Sequence, residues 1–190
     1  MKRIQLIAGT LLLCFLAGCA SAPAKYYSLD MRPSRPDATG PAIEVDHISI
    51  ADTLASKNIY IQKSPTQIEY YAVDQWAADL GEILEDKLRV ELERDSAQPT
   101  LVLQGTLERF GQQDTAWKKD TVSEAAAMVR LRVELRPKDA SRYSEPLLKK
   151  AYVCEAPAAE PTAASVVEML SRCVESIAAK IQSDAAELQE

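Results

Sequence analysis

Between Ala125 and Leu135 the chain alternates strictly. Ala125, Ala127, Val129, Leu131, Val133 and Leu135 take every second position, and Arg130, Arg132, Glu134 and Arg136 are interleaved with them. A period of two puts the two sets on opposite faces of a strand, one apolar and one charged. Such a strand belongs in a sheet that is covered on one side and wet on the other. An all-helical fold is excluded, and so is a parallel sheet buried on both faces. The cover must come from elsewhere in the chain.

Two stripes can supply it. Trp76, Leu80, Ile83, Leu84, Leu88 and Leu92 recur at three- and four-residue steps, predicting a helix that ends near Arg94 with Asp74 as its cap. Val166, Met169, Leu170, Cys173, Val174, Ile177 and Ile181 predict a second, with Ser165 and Glu168 fitting a capping box. Strand composition recurs at 26–29, at 43–50 with a slip between Val45 and Ile48, at 59–61 and 68–71 around a Ser64-Pro65-Thr66 turn, at 101–110 and at 147–154. Gly111 to Thr121 is polar and reads as strand-breaking, and Met31 to Pro41, with three Pro, reads as an irregular connector. Two helices cannot cover both faces of so wide a sheet. The expected fold is α+β, a single mixed or antiparallel sheet of about five to six strands with two amphipathic helices packed on one face.

The N-terminus carries a different message. Lys2 and Arg3 precede an apolar run from Leu6 to Ala17, too short for the roughly 20 residues of a spanning helix, and Leu16-Ala17-Gly18-Cys19 follows. This resembles a bacterial lipobox, in which the Cys19 thiol takes a diacylglyceryl group and the freed amine is acylated. The alternative is an ordinary signal peptide with a chance Cys near its end. On the lipobox reading, residues 1–18 are a signal peptide, 19–25 a lipidated Cys and short tether, and 26–190 a single periplasmic domain. Each buried methylene contributes about 0.8 kcal/mol, so two or three chains hold almost irreversibly. The residue after Cys19 is Ala20 and not Asp, which in lipoproteins of this type favours export to the outer membrane. The tether from Ala20 to Lys25 reaches about 20 Å when extended.

Charge and cysteines narrow the partners. Removing Lys2 and Arg3 from the 22 basic residues leaves 20 against 28 acidic, a net charge of −8. That argues against nucleic acid as a partner and against electrostatic adsorption to anionic headgroups, so lipid has to do the anchoring. Of four cysteines, Cys14 leaves with the signal and Cys19 is acylated. Cys154 and Cys173 remain. In an oxidising compartment they either form a disulfide, contributing about 3 kcal/mol, or stay as buried thiols.

Catalytic patterns are missing. The single His47 falls within a predicted strand, and no His-Glu-x-x-His, Cys-x-x-Cys, Gly-x-Ser-x-Gly or glycine-rich phosphate loop occurs. No catalytic, cofactor or metal residues are assigned. Glu82, Glu85 and Asp86 read as the solvated face of a helix. Tyr70, Tyr71 and Trp76 read as core at a strand–helix junction. Trp117, beside Lys118 and Lys119 in a polar loop, is either a partner or membrane contact or a residue folded back onto the sheet.

The order of these elements resembles a known family. Cys19, then Tyr26-Tyr27-x-Leu29, a strand ending near Ile50, a helix opening at Asp74-Gln75-Trp76-Ala77-Ala78-Asp79-Leu80, a strand ending Leu107-Glu108-Arg109-Phe110, a long alternating strand and a C-terminal amphipathic helix are similar in sequence and spacing to the ABC-type transport auxiliary lipoproteins. These are the PqiC-like proteins that accompany MCE-domain components of intermembrane lipid transport. The resemblance implies a non-enzymatic subunit on the periplasmic face of the outer membrane, with an MCE protein and an ABC permease complex as partners. It leaves homo-oligomerisation open. The chain has Ala51-Asp52 where the family's first strand often leads to a Pro. Two rival readings are a structural lipoprotein of another envelope assembly and a periplasmic hydrolase with a dispersed site.

Overall fold

The computed structural model describes residues 22–34, 40–93, 98–115, 124–141 and 143–188. Among them, seven strands and two helices form an α+β layer. The strands are β1 (Lys25–Tyr27), β2 (Ile43–Ile50), β3 (Asn58–Ser64), β4 (Gln67–Trp76), β5 (Leu101–Asp114), β6 (Ala125–Pro137) and β7 (Leu148–Pro157). The helices are α1 (Leu80–Leu92) and α2 (Ala163–Glu187). The sheet is mixed and open, one strand wider than expected.

β5 organises it. The order is β1-β4-β3-β5-β6-β7, with β2 also on β5. One edge of β5 is shared: Leu101 to Leu107 pair in parallel with β2, and Gly111 to Gln113 pair in parallel with β3. Its other edge runs antiparallel to β6 along the whole length, and β6 continues antiparallel to β7. Gly111 makes the second contact to β3 feasible. A Cβ there would stand 2.4 Å from the carbonyl oxygen of Tyr60, and the residue has φ of 154°. Only glycine lets two backbones approach that closely. The sequence expectation that residues from Gly111 onward break the strand is therefore corrected, since β5 continues to Asp114.

The alternating face of β6 meets the helices. Ala125, Ala127, Val129, Leu131, Val133 and Leu135 are all buried, together with Leu101, Leu103, Leu107 and Phe110 of β5. Above them lie Leu80, Ile83, Leu84, Leu88 and Leu92 of α1 and Val166, Leu170, Cys173, Val174, Ile177 and Ile181 of α2, in one cluster. The opposite face carries ion pairs: Arg130 and Arg132 to Glu108, and Arg136 and Lys149 to Glu134. The slip in β2 is a register shift between Val45 and His47.

Both helix caps differ from expectation. Asp74 stays in β4, where its Oδ1 accepts from the Tyr27 hydroxyl at 2.9 Å. The backbone N–H groups of Trp76 and Ala77 donate to the carbonyls of Lys57 and Tyr27, so the strand runs through Trp76 and the chain bends at Ala77 and Ala78 before Asp79. Asp79 then caps α1, accepting from the amides of Gly81 and Glu82 at 2.8 and 3.4 Å. For α2 the cap is Thr162, whose Oγ1 accepts from the Ser165 amide, which puts Ser165 inside the helix.

Candidate functional site

Cys19 and Trp117 lie outside the described residues. Cys154 on β7 and Cys173 on α2 are joined as a disulfide with Cα atoms 5.5 Å apart. It ties the last strand to the helix that covers it. His47 sits exposed at the β2 bulge, with Nδ1 3.1 Å from Oε1 of Glu85. Trp76 is buried against Phe110, while Tyr71 is half-buried and Tyr70 is exposed, so the aromatic cluster is core only in part.

Glu85 is not merely solvated. Its Oε1 accepts from the Ile48 amide at 2.8 Å, and Oε1 of Glu93 accepts from the Val45 amide at 3.1 Å. Two carboxylates thus occupy donors on the free edge of β2, a position that would otherwise invite another strand. The edge is closed by its own helix.

The larger surprise is Lys87. It is fully buried on the apolar side of α1, between Leu84 and Leu88. Its ammonium donates to Oε1 of Glu91 at 2.7 Å, to Oε1 of Glu175 on α2 at 3.1 Å and to the carbonyl of Arg32 at 2.9 Å. Three protons meet three acceptors, the condition under which a buried ammonium is tolerated. Burial opposes ionisation of Glu91 and is the largest single influence, yet the Lys87 ammonium and the Ser34 hydroxyl and amide together hold its carboxyl below the usual range. The signal was present in the sequence, because 80, 83, 84, 87, 88 and 91 form one continuous stripe with Lys87 and Glu91 inside it.

This cluster secures the segment leading from the N-terminus. Leu29 is buried, the Asp30 amide donates to Oγ of Ser171 on α2 at 3.0 Å, and Ser34 donates to Glu91 on α1 from its amide at 3.0 Å and its hydroxyl at 2.5 Å. Residues 29–34 are a strap stitched across both helices. Just before it, β1 pairs in parallel with the end of β4, Lys25 opposite Asp74 and Tyr27 opposite Trp76. The N-terminal segment is thereby fixed to the sheet edge and to the helical layer at once.

Concavities are shallow. One of about 300 Å³ lies between Tyr26, Leu54, Lys57, Trp76 and Leu80, and another of about 650 Å³ between Pro157, Pro161, Met169 and Arg172. Among the described residues, no group of three His, Cys, Asp or Glu is arranged to hold a metal, and no helix is long and apolar enough to cross a membrane.

Fold and strap together define a class: an α+β domain whose N-terminal segment is fixed across both helices. The sequence match is specific. The family model described as the ABC-type transport auxiliary lipoprotein component matches residues 27–182, and the chain belongs to that family. Members are lipoproteins of the Gram-negative envelope associated with ABC transport, and the family is not known as one of enzymes. A crystal structure of a Xanthomonas campestris protein of family DUF330 is similar with a TM-score of 0.69 at 15% identity, covering 87% of this chain and 96% of that one. A second, of an uncharacterised protein, has a TM-score of 0.64 at 15% identity over 85% and 98%. At this identity the likeness shows the fold alone. No curated protein matches the chain.

Proposed function

We propose that this protein is an outer-membrane-anchored periplasmic subunit of an ABC/MCE-type intermembrane lipid transport system, docking or stabilising the MCE component without turning over substrate. The family match over residues 27–182 carries the proposal. Three features support it. Cys19 ends a lipobox-like signal and is followed by Ala20. The acidic mature chain gains little from anionic headgroups, so the lipid is its hold on the membrane. The strap of residues 29–34 couples such an anchor to both helices, as suits a part that bears a load between a membrane and a partner.

The test is co-purification of the intact lipoprotein from membranes. An MCE protein and a permease component should come with it, and their absence with the lipoprotein well expressed would sink the proposal. Trp117→Ala belongs in the same experiment. As a partner hot spot it would weaken capture by about 2 kcal/mol, some thirtyfold, with the fold intact. Unchanged capture returns Trp117 to the loop or to the membrane interface.

A further inference from the structure

The pairing of β1 fixes the direction from which the tether arrives. β1 is parallel to β4 and begins opposite Asp74, near the end of that strand. The chain therefore enters β1 from the side of the β3–β4 turn at Ser64–Gln67. From Asp74 back to Gln67 is about 20 Å of strand. The tether from Lys25 to Cys19 reaches about 20 Å at full extension. The two lengths match. An acyl chain on Cys19 can therefore reach the level of the β3–β4 turn.

The same strand exposes apolar side chains. Ile68 and Tyr70, two residues apart and so on one face of β4, are 42% and 39% exposed, and Tyr26 on β1 is 67% exposed. Ile68 is opposite Gln62 and Tyr70 opposite Tyr60, which places both beside the turn. The Tyr70 hydroxyl donates to the Thr53 carbonyl at 2.7 Å, so its ring is held rather than loose. Tyrosine at a bilayer surface keeps its ring among the acyl boundary and its hydroxyl in the polar layer. The β6–β7 connection, 138–147, lies at the other end of the sheet, because β3 is parallel to β5 and its turn falls beyond the end of β5 paired with the start of β6.

From this geometry we infer that the β3–β4 turn and the outer edge of β4, with Tyr26, Ile68 and Tyr70, form a membrane-contacting surface whose occupant is the phospholipid bilayer carrying the Cys19 anchor. The inference rests on the anchoring reading above. Three partly exposed side chains would not hold a free domain on a membrane. On a tether this short they need not, because the effective concentration of surface is in the millimolar range or above. The contact sets orientation, and it leaves the 138–147 end facing the periplasm.

The experiment uses the full acylated lipoprotein in vesicles of phosphatidylethanolamine and phosphatidylglycerol, with a thiol-reactive fluorophore at Thr66→Cys or, as the distal control, Ser141→Cys. Spin-labelled lipid headgroups should quench the probe at position 66 at least threefold more than at 141. Ile68→Asp, at an exposed site, should reduce quenching at 66 at least twofold with vesicle flotation unchanged. Equal quenching at the two positions, or no response to Ile68→Asp, overturns the inference. Flotation of the wild type and its loss in Cys19→Ser test the anchor separately. Were the wild type not to float, replacing residues 1–19 with a hexahistidine tag held on nickel-chelating lipid would restore the tether and let the same probes decide orientation.

Discussion

Lys87 and Glu91 stand one turn apart on α1, with Nζ and Oε1 separated by 2.7 Å and both side chains almost wholly removed from solvent. Neither contacts the sheet's charged face. Their further partners are Glu175 on α2 and the strap residues Arg32 and Ser34, so one buried ion pair joins two helices to the N-terminal segment.

Glu91→Gln should therefore destabilise the domain by about 3 kcal/mol at neutral pH, because it removes one partner from a buried charge. The sign with pH follows from the direction of its shift. The folded carboxyl titrates below its ordinary value of 4.5, so its stabilisation is present above that value and is lost as pH falls through the folded one. Denaturant titrations of wild type and variant should diverge at pH 7 and converge in acid. Parallel curves at every pH would remove Glu91 ionisation as the cause.

Gly111→Ala should cost at least about 2 kcal/mol, because the new methyl meets the Tyr60 carbonyl and the backbone conformation disfavours an L side chain. Hydrogen exchange should locate the damage at the β3–β5 pairing, with Leu101 to Leu107 still protected by β2 and β6. Uniform loss of protection across β5 would mean that its two halves fold as one unit.

For the cysteine pair, thiol labelling of unfolded, unreduced mature protein should leave Cys154 and Cys173 unmodified. Cys173→Ala should then cost about 2 to 5 kcal/mol. Labelling of both positions rules the bond out in the native envelope.

Much of the layer was legible because burial leaves a periodic trace. The alternation from Ala125 to Leu135 became the buried face of β6, and the apolar stripes became the inner faces of α1 and α2. The open face was legible too, since Arg130, Arg132, Glu134 and Arg136 cannot all be buried. Periodicity reports which side of an element is covered, and it is silent on what covers it.

The remainder depended on pairings between distant residues. Asp74 and Asp79 are equally able to cap a helix by residue type, and the choice fell to Asp79 because the Lys57 and Tyr27 carbonyls hold Trp76 and Ala77 to the sheet. Gly111 looked like a strand breaker until the Tyr60 backbone came against it. Lys87 lies within an apolar stripe, and its burial depends on Glu91, Glu175 and the Arg32 carbonyl, which supply its three acceptors. Local sequence determined the faces, because side-chain direction repeats with the backbone. Tertiary structure decided the ends, the close approaches and the buried charge, because each depends on a partner tens of residues away.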